Sequence, residues 1–125
     1  LFALTGAASA QLTVWTTQVQ PERIEVQEQL GADFEAETGV SVEFVPVEES
    51  ALAERVTAAF GAGDLPDVIY HPVSQTIGWA EAGILDTLTA TDIVDALGES
   101  TFSEGALNLV RFEEDYAAVP SDGWT

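Results

Sequence analysis

Short alternating runs and longer stretches of helical period take turns from one end of this sequence to the other. Residues 11–18 come first, with Leu12, Val14 and Thr16 alternating against Thr13, Trp15 and Thr17. This β-branched and aromatic run at period two predicts a strand. Pro21 suits the opening turn of a helix, where its missing N–H costs little. Val26, Leu30 and Phe34 fall at i, i+4 and i+8 and predict the buried stripe of that helix, with Ile24 off it. Gly39 ends the helix. Residues 40–47 alternate again, Val40, Val42 and Phe44 against Ser41, Glu43 and Val45. Ser50 is the expected N-cap of a second helix whose stripe is Leu52, Val56, Ala59 and Phe60, stopped by Gly61-Ala62-Gly63. A turn over Asp64-Leu65-Pro66-Asp67 then leads into Val68-Ile69-Tyr70, a continuous apolar run suited to a buried parallel strand.

The order so far is β-α-β-α-β, the signature of a parallel sheet with crossover helices, and the fold class expected is α/β. Beyond it, His71-Pro72 ends the third strand, Ser74 caps a short helix carrying Ile77, Trp79 and Ala80, and Gly83 closes it. Another short helix is expected to begin at Thr91-Asp92, and Phe102, Ala106, Leu109 and Val110 form a further stripe. Glu113-Glu114-Asp115 reads as a solvated turn, followed by a strand over residues 116–119 that enters Pro120-Ser121-Asp122-Gly123. No internal repeat or low-complexity segment is present.

In parallel sheets ligands are met beyond the carboxyl ends of the strands. That puts Trp15, Thr16, Thr17 and Gln18 at the rim, with Tyr70 and His71 beside them. The alternation permits Trp15 either face, so core packing and ligand stacking both stand open. Trp79, among alanines, reads as core. Glu48-Glu49 also ends a strand and reads as solvated surface, and Asp64 and Asp67 read as turn formers.

Charge narrows the partners. Three Arg, no Lys and 22 Asp and Glu give a formal net charge of −19 over 125 residues. Such a surface repels phosphates and anionic lipid, which excludes nucleic acid and membrane surfaces as partners. Hydrophobic residues at 46% and clear periodicity argue for a folded chain rather than a disordered one. The Lys-free acidity is that of a halophilic protein, kept soluble by charge. With no Cys there is neither a disulfide framework nor a thiolate metal site, and a lone His71 makes no zinc site. No nucleotide loop follows any strand, no EF-hand pattern occurs, and no cofactor is expected. Carboxylate pairs arise by chance at this density and do not argue for glycoside hydrolysis. Residues 1–10 are small and apolar and end in Ala8-Ser9-Ala10, so they read as a signal-peptide remnant or a lead-in.

Taken together, several stretches resemble one family. The run Leu12-Thr13-Val14-Trp15 and then Phe34-Glu35-Ala36-Glu37-Thr38-Gly39-Val40 is similar to the opening of the extracellular solute-binding proteins of ABC importers. Gly63-Asp64-Leu65-Pro66-Asp67-Val68-Ile69-Tyr70, Trp79-Ala80-Glu81-Ala82-Gly83-Ile84-Leu85 and Tyr116-Ala117-Ala118-Val119-Pro120 continue the match in order. The likeness is nearest to the oligosaccharide- and maltodextrin-binding branch and spans residues 11–120. It implies a periplasmic-binding-protein-like lobe over residues 11–120, with residues 121–125 starting the hinge to a second lobe missing from this chain. It also implies an exported, extracellular receptor, not an enzyme, that hands a small-molecule solute, a carbohydrate first among them, to ABC permease subunits. Ligand contacts are expected from Trp15, Thr16, Thr17, Gln18, Tyr70, His71, Ser74, Gln75, Ser121 and Asp122. Trp15→Ala in a complete receptor is expected to cut affinity with little change in melting point. The chain departs from the maltodextrin binders in three places: Tyr70-His71 replaces their Phe-Trp, Ser74 replaces an acidic residue, and no acidic–basic pair follows Trp15. Alternatives are the same fold with a phosphorylated polyol, a polyamine or a metal chelate, and a secreted carbohydrate-active enzyme lobe. A lobe without its partner is also expected to self-associate through uncovered core.

Overall fold

The computed structural model describes residues 10–121, which divide after His71 into two compact units. The expected signal remnant, apart from Ala10, and the hinge start beyond Ser121 lie outside the described residues.

The first unit runs β1 (Gln11–Thr16), α1 (Pro21–Thr38), β2 (Ser41–Pro46), α2 (Glu49–Ala62) and β3 (Val68–Ile69). The sheet order is β2-β1-β3 and both pairings are parallel, with Val14 opposite Phe44 on one side and Val68 on the other. This is the α/β parallel core expected from the periodicity. The chain steps outward from β1 to β2 and then back across to β3. With right-handed connections, that reversal puts the two helices on opposite faces of the sheet. Gly31 of α1 sits against Val42 and Phe44, while Arg55 of α2 lies over the Trp15 ring on the other face.

The packed face of α1 is not the one the apolar spacing predicts. Val26, Leu30 and Phe34 are 59%, 60% and 40% exposed, whereas Gly31 is buried. A Cβ at position 31 would stand 3.0 Å from Phe44 Cε2 and 3.4 Å from Val42 Cβ. The helix therefore settles where it lacks a side chain and backbone can approach the sheet most closely. Ile24 and Gln27, both half-buried, flank that contact, and the apolar stripe is rotated roughly a quarter turn away from it. At the end of α1, Gly39 takes φ 76° and its N–H reaches the Glu35 carbonyl at 2.8 Å, the left-handed cap the sequence foretold.

In α2, Leu52 and Val56 are buried as expected, but Phe60 is 44% exposed. The helix starts ahead of Ser50, with Glu48 at the N-cap and no side-chain capping bond. Among the described residues β3 is the outermost strand on its side of the sheet, and Val68 is 47% exposed rather than buried. Its pairing reaches one residue further, because the Tyr70 N–H donates to the Trp15 carbonyl at 2.8 Å.

The second unit comprises a 3₁₀ turn (Val73–Gln75), α3 (Thr76–Glu81), α4 (Thr87–Leu97), a second 3₁₀ turn (Glu99–Thr101), α5 (Glu104–Val110), β4 (Arg111–Phe112) and β5 (Asp115–Tyr116). Trp79 and Ala80 are buried, as expected. Helix α4 begins four residues before the expected Thr91, because Asp86 caps it by accepting the Thr89 N–H at 3.0 Å and the Thr89 hydroxyl at 2.7 Å. Thr91 lies inside the helix and accepts the Tyr116 N–H at 2.8 Å, tying β5 to α4. Ser103 caps α5, which buries Leu107 and Val110 and leaves Leu109 54% exposed. Val94, Leu107, Val110 and Tyr116 form the core, with Phe102, Ala118 and Val119 packed against it. The strand expected over residues 116–119 is instead one arm of a hairpin, Arg111–Phe112 against Asp115–Tyr116, turned by Glu113 at φ 55°. The buried Tyr116 hydroxyl donates to Glu99 at 2.8 Å and accepts from Arg111 at 3.0 Å, and the Glu99 bond raises its pKa. Among the described residues, no buried side-chain nitrogen or oxygen lacks a partner.

Candidate functional site

Three parallel strands leave the sheet at the same edge. The register sets Thr16 opposite Pro46 and Trp15 opposite Ile69, so Thr17-Gln18, Val47-Glu48 and Tyr70-His71 all emerge there. The chain at this edge is tied by short bonds. The Val47 N–H donates to the Thr16 carbonyl at 2.8 Å, and the Gln18 N–H donates to the Thr16 hydroxyl oxygen at 3.1 Å. Below the edge, Asp67 fastens β3 to β1 twice: its N–H reaches the Thr13 carbonyl at 3.0 Å, and its carboxylate accepts the Thr13 N–H at 2.9 Å. A residue that reads as a turn former is therefore also a clamp that sets where Tyr70 and His71 emerge.

The rim residues differ in how they present themselves. Thr16 is 1% exposed and acts as scaffold. Trp15 is 8% exposed, with the Arg55 guanidinium 4.8 Å from its ring centroid. Its indole packs under α2, and the structure assigns it chiefly to the core of the unit. Thr17 and Gln18 are half-buried. Gln18 is held from α1: its carbonyl accepts from the Gln27 amide at 3.1 Å, and its side-chain oxygen accepts from Arg23. Tyr70 and His71 are half-buried at the end of β3. The His71 Nδ1 lies 2.8 Å from the Ile69 carbonyl, which can only accept. Nδ1 therefore carries the proton in the neutral ring, and Nε2 is the acceptor nitrogen. Burial lowers the His71 pKa below its ordinary value, opposed by that carbonyl bond, so the ring is neutral at neutral pH.

Ser74 and Gln75 belong to the second unit, in the 3₁₀ turn after Pro72, where the Gln75 N–H meets the Pro72 carbonyl at 3.0 Å. Ser74 is exposed and Gln75 half-buried; neither side chain caps the turn or α3. Ser121 is exposed at the end of the segment that follows β5, and Asp122 lies outside the described residues. The structure thus gathers Thr16, Thr17, Gln18, Tyr70 and His71 at one sheet edge of the first unit. Arg55 and Asp67 are the supporting residues that spacing alone did not single out for this role. The signal for Arg55 was its rarity and its place next to Val56 on the sheet side of α2.

Among the described residues no cluster of three acidic or histidine side chains is arranged to hold a metal, and no helix is long and apolar enough to cross a membrane. An open recess of about 430 Å³ lies between α1 and β2, lined by Glu28, Gly31, Glu35, Val42 and Phe44 among others. It includes Gln11 at the start of β1, so it opens away from the strand-end rim, and its carboxylates lack cationic counterparts in the lining.

A parallel sheet with hydroxyl, amide and ring groups gathered where its strands end is the architecture of an α/β ligand-binding lobe. The chain belongs to the bacterial extracellular solute-binding protein family, which residues 10–120 match. It is 32% identical over 111 residues to YcjN of Escherichia coli K12, named as an ABC transporter periplasmic-binding protein, a match covering 86% of this chain and 26% of that protein. The GacH receptor of Streptomyces glaucescens, solved unliganded and with acarbose, superposes with a TM-score of 0.76 at 30% identity over 90% of this chain and 29% of its own. The sugar-binding protein MalE of Xanthomonas citri shares the fold with a TM-score of 0.76 at 21% identity over 89% of this chain and 28% of its own. The chain spans about a quarter of the length of these relatives.

Proposed function

We propose that this chain forms the N-terminal lobe of an exported, extracellular receptor that captures a sugar or oligosaccharide and delivers it to the permease of an ABC importer. The observation that carries this reading is the strand-end rim, Thr17 and Gln18 beside Tyr70 and His71, in a chain that belongs to the solute-binding family. Tyr70 and His71 would offer ring faces to sugar C–H surfaces. Thr17, Gln18, Ser74, Gln75, Ser121 and Asp122 would supply hydrogen bonds, with Trp15 and Thr16 bracing the rim from beneath. The 30% identity to a receptor solved with acarbose supports a carbohydrate. Closure of two lobes over the solute would bury it, and the ligand would populate the closed form through contacts made only when both lobes meet it. The acidic, Lys-free composition supports function in concentrated salt.

The test is a ligand screen on the natural polypeptide that carries this sequence, in molar KCl, by calorimetry and tryptophan fluorescence, with the ligand recovered and identified afterwards. Saturable binding of an oligosaccharide returned intact is expected. Binding of a polyamine, a phosphorylated polyol or a metal chelate alone overturns the sugar assignment. A sugar returned shortened overturns the receptor in favour of an enzyme.

A further inference from the structure

Gln18 lies where β1 leaves the sheet, and α1 begins soon after it at Pro21, so the first turn of α1 stands at the same edge. Three polar groups of Gln18 are committed inside the first unit. Its N–H donates to the Thr16 hydroxyl oxygen at 3.1 Å, its carbonyl accepts from the Gln27 amide at 3.1 Å, and its side-chain oxygen accepts from Arg23 Nη1. Gln27 gives its other amide hydrogen to the Arg23 carbonyl at 3.0 Å, so one amide group stitches the loop to the helix. A guanidinium only donates, so the Gln18 atom that faces it is Oε1, and Nε2 takes the other branch of the amide. Among the described residues Nε2 has no hydrogen-bond partner. No buried side-chain nitrogen there lacks one, so Nε2 reaches solvent.

We propose that Arg23 and Gln27 are positioning residues: they hold Gln18 so that it meets the solute as a hydrogen-bond donor, selecting a sugar hydroxyl oxygen over an ammonium group. The inference rests on the proposal that the strand-end rim is a solute site. An amide N–H finds an acceptor in any hydroxyl oxygen. An ammonium group carries only donors, so a polyamine would set donor against donor, with the Arg23 charge adding repulsion. The net charge of −19 draws cations toward the chain, so discrimination against them has to be local. With three Arg against 22 Asp and Glu, and with Glu22 and Glu25 near it in sequence, the guanidinium of Arg23 is placed on a neutral amide oxygen. The clamp also lowers the cost of recognition. A glutamine held from α1 has given up rotamer freedom in folding and does not lose it again on meeting a solute.

The test uses the natural polypeptide in molar KCl and has one arm without ligand and one with it. By heteronuclear NMR, Arg23→Ala should move the Gln18 side-chain amide resonance toward that of an unconstrained glutamine. An unmoved resonance overturns the clamp. Arg23 is exposed and Ala is a good helix former, so the melting temperature should stay nearly unchanged. Calorimetry then follows a panel of neutral oligosaccharides, maltotetraose first, and spermidine. Arg23→Ala and Gln18→Glu should each weaken the best-bound oligosaccharide by about three- to tenfold, while Arg23→Lys keeps most of the parent affinity. Gln18→Glu, which retains the Arg23 contact but has no N–H, should also tighten spermidine. Oligosaccharide affinity unchanged in both variants keeps the receptor and overturns the inference. A loss matched by a fall in melting temperature overturns it in favour of a structural role. Spermidine bound more tightly than every oligosaccharide by the parent overturns the donor selectivity. A resonance that moves in a protein that binds no oligosaccharide leaves the clamp standing and removes the sugar receptor, with the selectivity built on it.

Discussion

Trp15 carries the sharpest conflict between chemistry and place. As an aromatic at the end of the first strand it has the makings of a stacking platform. In the structure its ring is 8% exposed beneath Arg55. Truncating a buried aromatic costs about 3–5 kcal/mol, whereas the cation–π contact of an exposed guanidinium is worth only about 0.5–1 kcal/mol. Burial therefore decides. Trp15→Ala should lower unfolding stability by an amount in the first range, measured by denaturant titration in molar KCl, and Arg55→Ala by one in the second. A Trp15→Ala protein that unfolds like the parent would restore the stacking role. His71 offers a pH signature. Its folded pKa lies below the unfolded value because burial disfavours the cation. As pH falls below about 6.5, the unfolded chain takes up the proton first and stability is lost, the loss being complete below the folded pKa. His71 is the sole histidine, so its ring resonance is unambiguous by NMR. Its titration midpoint should fall below the ordinary value, and a midpoint at or above it would contradict the burial.

Each helix shows a local rule and the contact that overrides or completes it. The spacing of Val26, Leu30 and Phe34 correctly marks a helix but not its packed face, because the close approach at Gly31 is worth more to the sheet than the width of the stripe. Gly31→Val should therefore destabilise the chain by about 1–3 kcal/mol through overpacking against Phe44 and Val42, despite Val being the better helix former. A neutral result in thermal unfolding would mean that α1 shifts at little cost. Ser103 caps α5 through the Ala106 N–H at 3.1 Å, and Ser103→Ala should cost about 1 kcal/mol. Thr91 reads as the start of a helix, but Asp86 caps α4 and Thr91 lies inside it. Both are good N-cap types, and the choice between them was made by Thr91's second task, holding the Tyr116 N–H from 25 residues away.

For the molecule entire, charge is the governing quantity. At −19 with three Arg, most carboxylates have no cationic partner to offset their repulsion. Added salt screens that repulsion within a Debye length of about 10 Å at 0.1 M and about 3 Å at 1 M. The melting temperature should rise steadily from dilute buffer to molar KCl, and a flat profile would mean that the carboxylates are too far apart to matter. The same surface steers away anionic ligands except where local donors outweigh it, which is consistent with a neutral sugar as the proposed solute.

What local chemistry could determine, it did. The α/β class, the parallel β-α-β-α-β order, the Gly39 cap and the Leu52 and Val56 contacts follow from periodicity, turn residues and intrinsic preference, all of which act over a few neighbouring positions. So did the rim as a place, because parallel strands end together whatever their partners. Tertiary structure alone decided which helix face turns inward, whether Trp15 belongs to the rim or the core, that Val68 is exposed, and that residues 111–116 close a hairpin. These depend on which backbone can come closest, which guanidinium reaches which ring, and what lies beyond the last strand. Such pairings join positions far apart in the chain, and no local pattern encodes them.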